Sequence, residues 1–136
     1  MAAPCLGPDA SPVAFLSVLN RDRARRFYAE VLGLKIRYED DFALVLDLGG
    51  RPLRISESSG FAPQPFTVLG WEVSDFDGVV FRLRQNDVPL ERFEGLDQEA
   101  NGVWESPSTA VRIAWFKDPD GNLLSISDVV DRTDSP

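Results

Sequence analysis

The sequence predicts an α+β domain of two tandem βαβββ units, whose strands form a curled mixed sheet with helices on the convex face. An internal repeat is the first observation behind this. Leu16-Ser-Val-Leu-Asn20 recurs 55 residues later as Trp71-Glu-Val-Ser-Asp75, and Asp47 to Ser56 recurs 71 residues later as Asp118 to Ser127. The larger second offset is accounted for by an insertion near residues 95–109. Helical periodicity once in each repeat, and strand alternation around it, are the other two observations. One such unit cannot bury both faces of its sheet, so two are expected side by side around a concave cleft.

Each element follows in order. Val13 to Leu19 is an apolar run of strand length, and Asn20 suits a helix N-cap. Ala24, Phe27, Tyr28, Val31 and Leu32 then fall on one helical face, with Gly33 placed to end the helix. The arginines at 21, 23, 25 and 26 interleave with that face and read as solvated surface. Leu34, Ile36 and Tyr38 alternate with charged residues as a half-buried strand, Phe42 to Leu46 is the next, and Leu53 and Ile55 mark a third. In the second repeat, Phe66 to Val73 is a strand and Asp75 an N-cap. Phe76, Val79, Val80 and Leu83 form the buried helix face. Leu90 to Phe93 reads as a short strand, followed by Val111 to Phe116 and Leu123 to Ile126. The organisation expected is a tail at 1–11, one domain at 12–128 (repeats 12–56 and 66–128, linker 57–65) and a C-terminal tail at 129–136.

Composition bounds the function. The 136 residues suffice for one hydrophobic core, and the net charge of −8 argues against nucleic acid, whose phosphates need a basic face. An acidic surface favours solubility and cationic ligands. There is no apolar run of about 18 residues, so no membrane span is expected. Met1-Ala-Ala-Pro-Cys-Leu-Gly-Pro has no basic segment leading into a long apolar one, so no signal peptide is expected either. Cys5 is the single cysteine, which excludes an internal disulfide and fits a reducing, cytoplasmic setting. Histidine is absent, and with it the commonest general base and metal ligand.

Asn20-Arg-Asp-Arg-Ala-Arg-Arg-Phe-Tyr-Ala-Glu-Val-Leu-Gly-Leu34 resembles the first helix of the vicinal oxygen chelate superfamily. That group includes glyoxalase I, extradiol dioxygenases, and bleomycin and fosfomycin resistance proteins. Trp115-Phe-Lys-Asp-Pro-Asp-Gly-Asn122 resembles its turn before the last strand, and the likeness spans residues 12–128. In metal-dependent members the ligands, usually His, Gln or Glu, come from the first and last strand of each unit. Carried over, those positions fall on Val13 and Arg54, then on Val68 and Ser125. Two are apolar and one is cationic, so the resemblance implies no metal and no other cofactor. Glu57 and Glu72 lie nearby, but two carboxylates alone make a weak site. Tyr38-Glu-Asp-Asp-Phe-Ala43 resembles the metal-free bleomycin-resistance branch, which implies a homodimer that sequesters a small molecule.

Strand alternation assigns the cleft lining. Val13, Phe15 and Ser17 share one face, with Ala14, Leu16 and Val18 under the helix. Val68, Gly70 and Glu72 share the cleft face of the second repeat, as do Arg54, Ser56, Ser125 and Ser127 on the closing strands. Arg54 and Glu72 either pair, point to solvent, or grip a polar ligand group. Glu72 is the one weak candidate for a general base, and no catalytic residue is otherwise assigned. Tyr38, Phe42, Trp104 and Trp115 either stack on a planar or cationic ligand or pack as core. Trp104 lies in a polar insertion that forms either a lid or an irregular strand. The leading expectation is a metal-independent binder of a small molecule, an antibiotic or a metabolite. A lyase, isomerase or dioxygenase of the same superfamily is the alternative, and a module with a vestigial cleft the third.

Overall fold

The computed structural model describes residues 5–129. Most of the expected C-terminal tail, residues 130–136, and residues 1–4 of the leading tail lie outside the described residues; residues 5–11 are exposed and lack regular structure. The chain divides into two compact units between Phe61 and Ala62, inside the expected linker. The class is α+β, with one mixed four-stranded sheet in each unit, and neither sheet is closed.

The first unit runs β1 (Ala14–Val18), α1 (Arg21–Arg25) continuing as a π-helical segment (Arg26–Val31), β2 (Ile36–Glu39), β3 (Leu44–Leu48) and β4 (Arg51–Glu57). Its sheet order is β1-β4-β3-β2, with β1 parallel to β4 and the other pairs antiparallel. Asn20 caps α1 as expected, its side-chain oxygen accepting from the Arg23 amide at 2.9 Å. The single helix expected through Val31 instead widens after Arg25, where the Leu32 amide bonds to the Phe27 carbonyl five residues back at 2.9 Å. Phe27 and Tyr28 are both buried there, ring edge to ring face with centroids 5.2 Å apart. A regular α-helix would turn these neighbours about 100° apart, whereas the wider turn lets both reach the core. Val31 is correspondingly turned out and 36% exposed, which corrects its place on the expected buried face. Gly33, at φ +84°, ends the segment in the left-handed region.

The alternation of β1 and β4 holds. Leu16, Val18, Leu53 and Ile55 are buried on the face that α1 covers, while Phe15, Ser17, Arg54 and Ser56 point to the open face. The β3–β4 turn is held by Asp47, whose carboxylate accepts from the Gly50 amide at 3.2 Å and from Arg37 at 2.8 and 3.0 Å.

The second unit runs β5 (Thr67–Val73), α2 (Phe76–Gln85), β6 (Trp104–Glu105), β7 (Arg112–Lys117) and β8 (Leu123–Asp128), in sheet order β5-β8-β7-β6. Asp75 caps α2, accepting from the Gly78 amide at 3.2 Å. Phe76, Val80 and Leu83 are buried along with Phe116, Leu124 and Ile126. Arg112 ties helix to sheet. It reaches Asp77 of α2 at 2.7 Å and Asp128 of β8 at 2.9 Å, and its guanidinium lies 4.6 Å from the Phe76 ring centroid.

Leu90 to Phe93 does not form the expected strand. Its backbone is satisfied otherwise: the Glu91 amide bonds to the Trp115 carbonyl, and the Gln98 side chain bridges Phe93, Glu91 and Gly102. Arg92 adds bonds to the Glu99 and Ala100 carbonyls, so side chains stitch the insertion together. The fourth strand is instead β6, which resolves Trp104 as a strand residue rather than a lid.

Candidate functional site

Each unit presents an open sheet face, and register places several of the candidate residues on it. In the first unit one row crosses all four strands: Phe15 of β1 lies beside Arg54 of β4, Val45 of β3 beside Arg54, and Tyr38 of β2 beside Val45. The Arg54 guanidinium donates to the Tyr38 hydroxyl at 3.1 Å. Phe15 and Tyr38 are 69% and 49% exposed, Arg54 is half-buried, and Val45 is buried. Ser17 pairs with Ser56 on the next row. Val13 lies just before β1 and is exposed. Phe42 sits at the tip of the β2–β3 loop, 79% exposed, where Asp40 accepts from the Phe42 and Ala43 amides. Those two backbone donors hold the Asp40 carboxyl below its usual range, with the charges of Arg54 and Arg21 as smaller causes.

Several other charges of the first unit are held in ion pairs and at the helix start. Arg25 chelates Glu39 and reaches Asp22 at 2.8 Å, while Arg21 touches Glu39 at 3.4 Å and the Asp40 carbonyl at 2.6 Å. The Arg25 hydrogen bond is the main reason Glu39 stays ionised below the ordinary carboxylate range. Glu57 accepts from the Arg21 backbone amide at 2.8 Å, which places it at the start of the helix.

In the second unit, Gly70 lies beside Ser125, and Ser125 beside Trp115. On the next row Glu72 lies beside Ser127, Ser127 beside Ile113, and Ile113 beside Trp104. Gly70 is there for space, since a Cβ at that position would stand 2.3 Å from the Ser125 hydroxyl. Trp104 and Trp115 sit 6.3 Å apart between ring centroids, and Phe93 meets Trp115 edge-on at 5.3 Å. Phe93, missed as a site residue in the sequence, also lines a cavity of about 350 Å³ with Pro63, Pro65, Lys117 and Leu123. Glu72 is exposed on β5, with β8 between it and the tryptophan-bearing strands. Val68 is half-buried at a register irregularity between Thr67 and Leu69, so alternation along β5 does not assign its face.

The residues present do not fit a divalent metal. Val13 and Val68 offer no donor, Arg54 repels a cation, and Ser125 alone is a poor ligand. Among the described residues no three His, Cys, Asp or Glu side chains come together in a way that would hold an ion.

The sequence profile of the Glyoxalase/Bleomycin resistance protein/Dioxygenase superfamily matches residues 12–126. The chain belongs to this superfamily. No curated relative matches it, but solved structures do. The oxidase ChaP-H2 is 21% identical, with 93% of this chain and 98% of that one covered at a TM-score of 0.71. An integron cassette protein from the mobile metagenome of Halifax Harbour Sewage Outfall is 18% identical, covering 89% and 99% at a TM-score of 0.70. The lactoylglutathione lyase from Agrobacterium tumefaciens is 18% identical, covering 89% and 94% at a TM-score of 0.66. At these identities the likeness shows a shared superfamily fold and carries no activity across. Among the described residues, no helix is long and apolar enough to cross a membrane.

Proposed function

We propose that this superfamily member is a metal-independent small-molecule binding protein whose guest is planar and aromatic. The observation that carries the reading is the donor set: Val13, Arg54, Val68 and Ser125 stand at the positions mapped to the metal ligands. The Trp104–Trp115–Phe93 group supplies what such a guest needs instead, flat apolar surface with Ser125 and Ser127 on the adjacent strand. A net charge of −8 draws cationic guests, so sequestration of a cationic antibiotic and retention of an aromatic metabolite both suit the face. A cytoplasmic homodimer belongs to the same reading, because the exposed edge strand β2 calls for cover.

Native mass spectrometry of the protein as purified, combined with tryptophan-fluorescence titration by planar aromatic cations, tests it. The expected result is a metal-free dimer with saturable quenching that Trp115→Leu abolishes. One tightly held divalent ion per chain overturns the reading. A metal-free lyase, isomerase or dioxygenase is the second reading, and the observation in its favour is the exposed Glu72 beside Ser127. Under that reading Glu72→Gln removes turnover while leaving aromatic binding intact.

A further inference from the structure

We propose that Arg54 and Tyr38 form an oxyanion-recognition site on the first unit's sheet, taking the carboxylate of a small molecule with a flat apolar body. The site places a fixed organic cation at a position where the superfamily resemblance maps a metal ligand.

The hydrogen-bond direction carries the argument. Arg54 donates through Nη1 to the Tyr38 oxygen, so the phenol acts there as acceptor and its own O–H remains a donor. The guanidinium keeps its other N–H groups, including the Nη2 and Nε edges. The free groups of the pair are therefore mostly donors, and donors select an anion or a carbonyl oxygen.

Charge partnering separates Arg54 from three other arginines of the same unit. Arg21, Arg25 and Arg37 each have a carboxylate oxygen within 3.4 Å. Among the described residues Arg54 has no such ion pair, and the one hydrogen bond of its guanidinium is to Tyr38. Asp40 is the acidic group close enough to feel the Arg54 charge, but its Oδ1 is taken up by the Phe42 and Ala43 amides. Apolar Phe15 and Val45 flank Arg54 in register, which lowers the local dielectric around a half-buried cation. Phe15, at 69% exposure, gives the guest's body a ring to lie on. The protein's overall negative charge acts against anions at long range. That field is screened over about 10 Å at 0.1 M salt, so the adjacent guanidinium decides.

The inference deepens the binding reading and rests on it, with a separable readout: tryptophan quenching reports the second unit, benzoate the first. Isothermal titration calorimetry with sodium benzoate, and with benzylamine as the cationic counterpart, tests it on the full chain. Saturable benzoate binding is expected, weakened roughly tenfold or more in Arg54→Gln and about three- to fivefold in Tyr38→Phe, with benzylamine failing to compete. Absence of saturable benzoate heat up to about 10 mM, or an Arg54→Gln affinity within about twofold of wild type, overturns the proposal. Competition by benzylamine does so too. Should Arg54→Gln lose its circular-dichroism signature of folding, Tyr38→Phe decides, and an unchanged affinity there overturns it.

Discussion

Removing the Asp118 side chain should unlock the β7–β8 hairpin. Asp118 and Asn122 are the two buried polar residues of the turn, at 4% and 3% exposure. One Asp118 carboxylate oxygen accepts from the Asp120 and Asn122 amides at 2.9 Å each, and the other from the Asn122 side-chain amide at 2.8 Å. Asp118→Ala therefore removes the carboxylate acceptor of three donors, two of them on a residue that water barely reaches. Hydrogen bonds to a charged group contribute about 1.5–3 kcal/mol each, but the three share one carboxylate and do not add. A loss of about 3–4 kcal/mol is expected, which for a chain of this length lowers the melting temperature by roughly 10 °C. Urea unfolding followed by circular dichroism should show a lower midpoint at unchanged slope. Asn122→Ala in an Asp118→Ala background should cost much less than it does alone, with a coupling of about 1–2 kcal/mol. A loss below about 1 kcal/mol for Asp118→Ala would falsify the account of the turn. The first repeat supplies an internal control. Asp47 holds the matching turn with solvent-exposed bonds, so Asp47→Ala should lower the urea midpoint much less than Asp118→Ala does.

Three further predictions follow from packing and charge. Phe27→Ala should cost about 3–5 kcal/mol in chemical denaturation and Val31→Ala under about 1 kcal/mol, because the π-helical segment buries the first and exposes the second; equal losses would contradict that segment. Gly70→Ala should destabilise by about 1–2 kcal/mol through its clash with the Ser125 hydroxyl. Adding Ser125→Ala should recover most of that loss, and no recovery would place the strain elsewhere. Asp22, Glu39, Asp40 and Asp47 all titrate below their ordinary values of 3.8 for aspartate and 4.5 for glutamate. A lowered folded pKa gives stability that is complete above the unfolded value and is lost as pH falls through the folded one. Stability should thus decline below about pH 4.5, and Arg25→Gln should flatten that slope by freeing Glu39. An unchanged slope would mean the Arg25–Glu39 pair contributes nothing.

The legible parts of this fold are those fixed by a short period. Alternation assigned Phe15, Ser17, Arg54, Ser56, Gly70, Glu72, Ser125 and Ser127 to open faces, and the register places them there. Features that break the period without changing composition stayed hidden. A bulge at Val68 adds a residue that alternation counts as ordinary. The π-helical segment carries the same apolar spacing as an α-helix, so Val31 read as buried. Leu90 to Phe93 has strand-like residues, but its bonds go to Gln98 and to one carbonyl of β7. Phe93 enters the site only through that loop path, and no local spacing signals it. Gly70 did carry a signal, since glycine inside a strand marks a close approach.

The duplicated unit shows where selection on function has room to act. Residues that fix the backbone match between repeats: Asn20 and Asp75 cap the helices, and Asp47 and Asp118 lock the hairpin turns. The open-face residues at matching register do not. Phe15 beside Arg54 in the first unit becomes Gly70 beside Ser125 in the second, a large ring and a cation against no side chain and a hydroxyl. Across the same strand pair Val45 is replaced by Trp115. The open faces thus differ in chemistry while the caps and turns keep theirs. The divergence leaves the first face rich in hydrogen-bond donors and the second rich in aromatic surface. Donors favour an oxyanion on the first face, and aromatic surface favours a flat ring on the second.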